Sequence, residues 1–92
     1  MIQGWKYPDA KQAFETGRNR RWSAILTVAL RKLDMLNATV ALSDLRVPPG
    51  NRLEALHGDR AGQHSIRING QFRICFVWTS SGPTDVEITD YH

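Results

Sequence analysis

Apolar positions along the chain change period once, and that change divides it into a helical and a sheet-forming part. Trp22, Ile25, Leu26, Ala29, Leu30, Leu33 and Leu36 recur at three-, four- and seven-residue spacing, which predicts an amphipathic helix of four turns. Asn19 is its expected N-cap and Asn37 its expected end. A shorter helix is predicted ahead of it. Pro8 suits a first helical position, Asp9 complements the positive helix end, Ala10, Ala13 and Phe14 share a face, and Gly17 is the stop. Residues 1–6, with Ile2 and Trp5 apolar, read as an edge strand.

Residues 41–45 suggest one further helical turn, which Val47-Pro48-Pro49-Gly50 cannot continue. Beyond this connector the period is two. Residues 52–56 read as a short strand, Gly58-Asp59-Arg60-Ala61-Gly62 as a polar turn, and residues 63–68 and 72–78 as a hairpin around Asn69-Gly70. A two-residue turn would pair Ile66 with Arg73 and mix polar and apolar side chains on both faces. A three-residue turn with Gly70 left-handed pairs Ile66 with Phe72 and Ser65 with Arg73. Ile66, Phe72, Ile74 and Phe76 then share one face, and Ser65, Arg67, Arg73 and Cys75 the other; a one-residue slip inverts every side chain, so the pattern selects this second arrangement. After Ser80-Ser81-Gly82-Pro83 a last strand turns Val86 and Ile88 inward. Phe76 is expected opposite Val86, Ile74 opposite Ile88 and Thr89 opposite Arg73, with Tyr91 on the face of Arg73. The expected fold is α+β, a β-α-α-β-β-β order in two layers. Two N-terminal helices cover the apolar face of a small antiparallel sheet, and the arginine-bearing face stays open.

Composition narrows the setting. With 92 residues, 41% of them hydrophobic, the chain is expected to form a single domain over residues 1–92 with one modest core. The lone cysteine, Cys75, cannot close an internal disulfide, which suits a reducing cytoplasm. No apolar run approaches the ~20 residues of a membrane span, and the opening residues lack a signal-peptide pattern, so a soluble cytoplasmic protein without membrane contact is expected. The net charge is only +3, but nine of the twelve basic residues are arginine. Guanidinium grips phosphate or carboxylate through paired hydrogen bonds, although a GC-rich genome enriches arginine too. Arg18, Arg20 and Arg21 crowd the positive end of the predicted long helix, where each cation costs a few tenths of a kcal/mol. They read either as phosphate or acidic-partner contacts or as a solvated basic turn.

The open face carries the elements of metal-free RNA cleavage. In that reaction a 2′-hydroxyl attacks the adjacent phosphate, a base takes its proton, an acid protonates the leaving 5′-oxygen, and cations stabilise the developing charge. Arg73 could hold the phosphate, with His57, Glu54, Asp90, Tyr91 and His92 as the proton-handling candidates. Each also has an ordinary structural reading: a solvent-facing strand arginine, a turn histidine, a frayed terminus. His64 has core-face parity and Cys75 no activating neighbours in sequence, so neither is expected to react. Asp59 and Arg60 could simply fix their turn. The three histidines lack metal-ligand spacing and no phosphate-binding glycine loop is present, so no metal or cofactor is expected.

At these residues the chain resembles HigB-type toxins of the RelE/ParE superfamily. The likeness runs through Met1-Ile2, Phe14-Glu15-Thr16-Gly17, Val47-Pro48-Pro49-Gly50, Arg52-Leu53-Glu54-Ala55-Leu56, Gly58-Asp59-Arg60-Ala61-Gly62, Ser65-Ile66, Phe72-Arg73-Ile74 and Asp90-Tyr91-His92. The resemblance implies a ribosome-dependent mRNA endonuclease that enters the A site of the 70S ribosome, on the small subunit, and cuts the codon there. It implies neutralisation by a HigA-like helix-turn-helix antitoxin, through which the pair reaches operator DNA. It implies that Arg73 binds the scissile phosphate and that Asp90, Tyr91 and His92 take part in catalysis or substrate orientation. The chain departs from the family twice: Glu54 stands where a relative has His, and His57 where Lys is common. Glu54 could act as the base, and His57 could replace a lysine charge only when protonated. Arg18, Arg20, Arg21, Arg60 and Arg67 would add nonspecific RNA contacts that weaken with salt. Two other readings stay open: a ParE-like toxin that binds DNA gyrase without cutting RNA, and a catalytically inactive antitoxin- and operator-binding module.

Overall fold

Gly17, in the left-handed conformation (φ 70°), ends helix α1, Pro8–Thr16, and donates its N–H to the Ala13 carbonyl at 2.9 Å. The computed structural model of the protein describes residues 1–90. Helix α2, Leu26–Ala38, starts about one turn later than its apolar spacing predicts. Trp22 precedes a 3₁₀ turn, Ser23–Ile25, and is held by tertiary contacts: its indole N–H donates to Asp9 Oδ2 at 3.2 Å and its ring meets Phe72 edge-on at 5.5 Å. Asn19 therefore caps the lead-in turn, accepting the Trp22 N–H at 3.2 Å, and not α2 itself. Asn37 lies inside α2, and its Oδ1 accepts the Ile2 N–H at 2.9 Å.

The sheet has four antiparallel strands in chain order: β1 (Glu54–Ala55), β2 (His64–Arg67), β3 (Phe72–Thr79) and β4 (Gly82–Asp90). Helices on one side and sheet on the other make the expected two-layer α+β fold. The opening segment contributes less than a full strand. It runs along β4 through a parallel bridge, Trp5 to Val86, with Gln3, Gly4 and Lys6 bonded to Pro83 and Val86, before Pro8 starts α1. Gly82 is needed for that contact, because a Cβ there would fall on the Met1 carbonyl. The strand expected over 52–56 shrinks to two residues, since Arg52 is left-handed (φ 45°) at the end of the 3₁₀ turn Pro49–Asn51. The turn expected at 41–45 is a 3₁₀ turn, Leu42–Arg46.

The β2–β3 register differs by two residues from expectation. Ile66 pairs with Ile74, Arg67 with Arg73 and Ser65 with Cys75. The reason is the turn. Asn69 Oδ1 accepts the N–H groups of Gln71 and Phe72, each at 2.8 Å, so the asparagine side chain organises the loop, and Gly70 is not left-handed. A two-residue shift preserves parity, so the expected faces survive. Ile66, Ile74 and Phe76 are fully buried in one core with Leu33, Leu36, Leu45 and Val86. Against β4, Ile74 pairs with Ile88 and Arg73 with Thr89 as expected. Phe76 and Val86 fall at a register shift between Cys75 and Val77, where Asp85 is left-handed (φ 51°), and do not form a ladder pair.

Candidate nucleic-acid interface

Strand parity builds the open face in two rows. Glu54, Ser65, Cys75 and Glu87 are cross-strand neighbours in one row, and Arg67, Arg73 and Thr89 in the next. The second row places a half-buried Arg73 between Arg67 and Thr89. Arg67 is partly committed, its Nε donating to the Asn69 carbonyl at 2.9 Å.

The first row is not open over its whole length. The 3₁₀ turn Gly58–Arg60 brings Arg60 onto the sheet, where Nη1 donates to Gln63 Oε1 at 3.1 Å and to Glu87 Oε2 at 3.3 Å. Lys6 Nζ reaches the same Glu87 oxygen at 3.2 Å. Glu87 is 5% exposed and the one buried acidic residue among the described residues. Beside it, burial pushes the Cys75 thiol up from its ordinary value; the cations of Arg60 and Arg73 and a hydrogen bond from Arg73 oppose that rise, and the charge of Glu87 adds to it. Cys75 is thus a buried thiol as inert as expected, but for a different reason: it has activating cations beside it, and burial outweighs them.

Sequence reasoning missed Glu87 and Lys6. The signal for Glu87 was present, since it sits between inward-facing Val86 and Ile88 and must face the arginines. Nothing local marks Lys6, which reaches Glu87 only because the N-terminal segment bridges to β4.

Where that segment leaves β4, a cleft of about 600 Å³ opens at the strand's outer edge. Arg21, Trp22, Arg60, Phe72, Thr89 and Asp90 are among its lining residues. Arg21 Nη1 pairs with Asp9 Oδ2 at 2.9 Å, and its guanidinium lies 4.7 Å from the Trp22 ring centroid. The cluster at 18–21 therefore lies in the α1–α2 connection and not at the positive end of α2; Arg18 and Arg20 are exposed there. Asp90 pairs with Phe72 at the end of β4 and receives a 3.4 Å bond from Gln71 Nε2.

The structure pairs Arg73 with Thr89 on the open face and sets Arg60, Thr89 and Asp90 along the cleft, Asp90 pairing with Phe72 at the alternate parity to Arg73. It sets Glu54 and His57 apart: both are exposed, Glu54 on β1 at the opposite sheet edge and His57 just ahead of the Gly58–Arg60 turn. Three strand spacings, ~14 Å along the sheet, separate Glu54 from β4. A proton on Glu54 and one on Asp90 serve a common substrate only if that substrate spans the face. Tyr91 and His92 lie outside the described residues.

Two helices packed on a four-stranded antiparallel sheet make an α+β fold consistent with a RelE-like toxin. The chain belongs to the HigB-like toxin family: residues 6–92 match the RelE-like toxin of the type II toxin–antitoxin system HigB. It is similar to Toxin HigB-1 of Vibrio cholerae, 46% identical over 70 residues that make up 74% of each chain. It is also similar to an uncharacterized protein of Haemophilus influenzae, 39% identical over 59 residues, 64% of this chain and 58% of that one. As a type II toxin it has an antitoxin partner.

Proposed function

We propose that this toxin is a metal-independent endoribonuclease that cuts mRNA in the ribosomal A site and so stops translation. The observation that carries the reading is Arg73 on the open face of β3, paired with Thr89 and one row from Glu87, to which Arg60 is bonded. In the proposed step the substrate 2′-oxygen attacks the adjacent phosphorus and the bond to the 5′-oxygen breaks, leaving a 2′,3′-cyclic phosphate and a 5′-hydroxyl. A base takes the 2′ proton and an acid supplies one to the leaving oxygen. Arg73 compensates the charge that builds on the phosphate. Asp90, His92 and Glu54 are the groups available for the proton transfers, Tyr91 orients or stacks on a base, and His57 assists when protonated. Arg18, Arg20, Arg21, Arg60 and Arg67 attract RNA phosphate. A HigA-like helix-turn-helix antitoxin is the proposed neutralising partner and the route by which the pair contacts operator DNA; the proposed site of action is the cytoplasm.

Growth arrest tests the assignment. Expression of the wild-type chain from a tightly controlled promoter is expected to arrest growth with transcripts cut inside reading frames, and R73A to relieve the arrest while the purified variant keeps its circular dichroism spectrum. An R73A chain as toxic as wild type would remove Arg73 from the site. Arrest with intact mRNA and inhibited gyrase would favour the gyrase-binding reading.

A further inference from the structure

Three observations converge on Glu87. A carboxylate 5% exposed on a sheet face facing solvent is costly unless paired, and this one holds two cations from distant segments on a single oxygen, Lys6 at 3.2 Å and Arg60 at 3.3 Å. Its cross-strand neighbour is Cys75, whose thiol feels both Arg60 and Arg73. Arg60 is bonded to Glu87, which pairs with Cys75, and Arg73 pairs with Thr89 in the next row of the same face. The two guanidinium groups therefore occupy adjoining rows, where like charges repel unless an anion lies between or beneath them. Among the described residues Glu87 is the one buried acid available to do this.

We propose that Glu87 is a positioning residue: its buried carboxylate holds Arg60 down on the sheet beside Arg73, so that the two guanidinium groups act as a paired clamp on neighbouring RNA phosphates. The inference rests on the RNA-cutting reading above. Arg60 presents Nη1 to Glu87 and Gln63, which leaves other N–H groups of its five-donor fork for phosphate. Without the carboxylate, one hydrogen bond to the Gln63 amide opposes repulsion from Arg73 and the side-chain entropy of a long, 30%-exposed arginine. Lys6 shares the same Glu87 oxygen from the N-terminal segment, its ammonium 5.8 Å from the Tyr7 ring centroid, and is left outside the proposed clamp.

The expected effect has an unusual sign. Removing a carboxylate from a basic RNA-binding face ordinarily strengthens binding by removing repulsion; here the removal weakens it. The test is single-turnover cleavage of a defined mRNA on programmed ribosomes over a salt series, for wild type, R60A, E87Q, E87A, K6A and the R60A/E87Q double variant. R60A is expected to slow cleavage about tenfold, the worth of one charge-assisted hydrogen bond to phosphate. E87Q, nearly isosteric and so the variant of choice if E87A fails to fold, is expected to approach that loss. The double variant is expected to be no worse than R60A, because both changes remove one contact. R60A and E87Q should each lower the salt slope by about one, while K6A stays close to the wild-type rate and slope. Cleavage by E87Q as fast as wild type or faster, or losses that multiply in the double variant, overturns the inference while leaving the nuclease reading intact. A wild-type chain that cuts nothing removes the nuclease reading, and this inference with it.

Discussion

Cys75 shows how a single buried group takes its properties from its neighbours. The thiol is fully buried on β3, hydrogen-bonded by Arg73 and flanked by Arg60 and Glu87. Burial dominates and holds its pKa above the ordinary 9.0, so the nucleophilic thiolate is suppressed. Native protein at neutral pH is expected to resist iodoacetamide, with labelling appearing only as the chain unfolds; rapid labelling of the native form would contradict the burial. The same shift fixes a pH effect. Above about pH 9 the unfolded chain releases this proton while the folded chain keeps it, so the unfolded state gains and stability falls as pH rises. Below that value both states hold the proton and Cys75 contributes no pH dependence. Chemical denaturation between pH 8 and about pH 10 measures the change, and a C75A variant should flatten it.

At the scale of elements, the β2–β3 hairpin separates what the residue pattern determines from what it does not. Alternation from Ser65 to Phe76 fixes which side chains face the core, because only one parity buries Ile66, Ile74 and Phe76 together. Parity does not fix register. The two-residue shift comes from Asn69, whose side chain accepts two backbone N–H groups, and an Asn-Gly pair in a sequence suggests a left-handed turn equally well. N69A is expected to cost about 1 kcal/mol by removing these bonds, lowering Tm by roughly 4–8 °C for a domain of this size; an unchanged Tm would mean the turn holds without them. Helix α2 follows the same logic. Its apolar spacing was legible over Leu26, Ala29, Leu33 and Leu36, but its start was not, since Trp22 is diverted by Asp9 and Phe72, far away in sequence. L33A, which empties a fully buried α2 position, is expected to cost about 2–5 kcal/mol in denaturant unfolding. Among the site residues, Arg73 and Thr89 were legible by parity. The Lys6–Glu87–Arg60 contact and the cleft were not, because they need three segments to meet.

At the scale of the whole molecule, the two sides of the sheet have different work. Helices α1 and α2 and the turns after them close the apolar side into one core. Among the described residues, the Gly58–Arg60 turn and the N-terminal segment reach the other side over Glu87, and half-buried Arg73 pairs with Thr89, which lines the cleft. No helix among the described residues is long and apolar enough to cross a membrane. The division places Arg67 and Arg73 on a strand surface rather than on a loop, with Arg60 tied down to it from its turn by Glu87, which suits precise placement of a phosphate. The decisive experiment adds purified toxin to ribosomes programmed with a defined mRNA and maps the cut sites at nucleotide resolution. Cuts confined to the codon in the A site, absent from free RNA and lost with R73A, are the predicted result. Equal cutting of free RNA, or no cutting with ribosomes present, would contradict it.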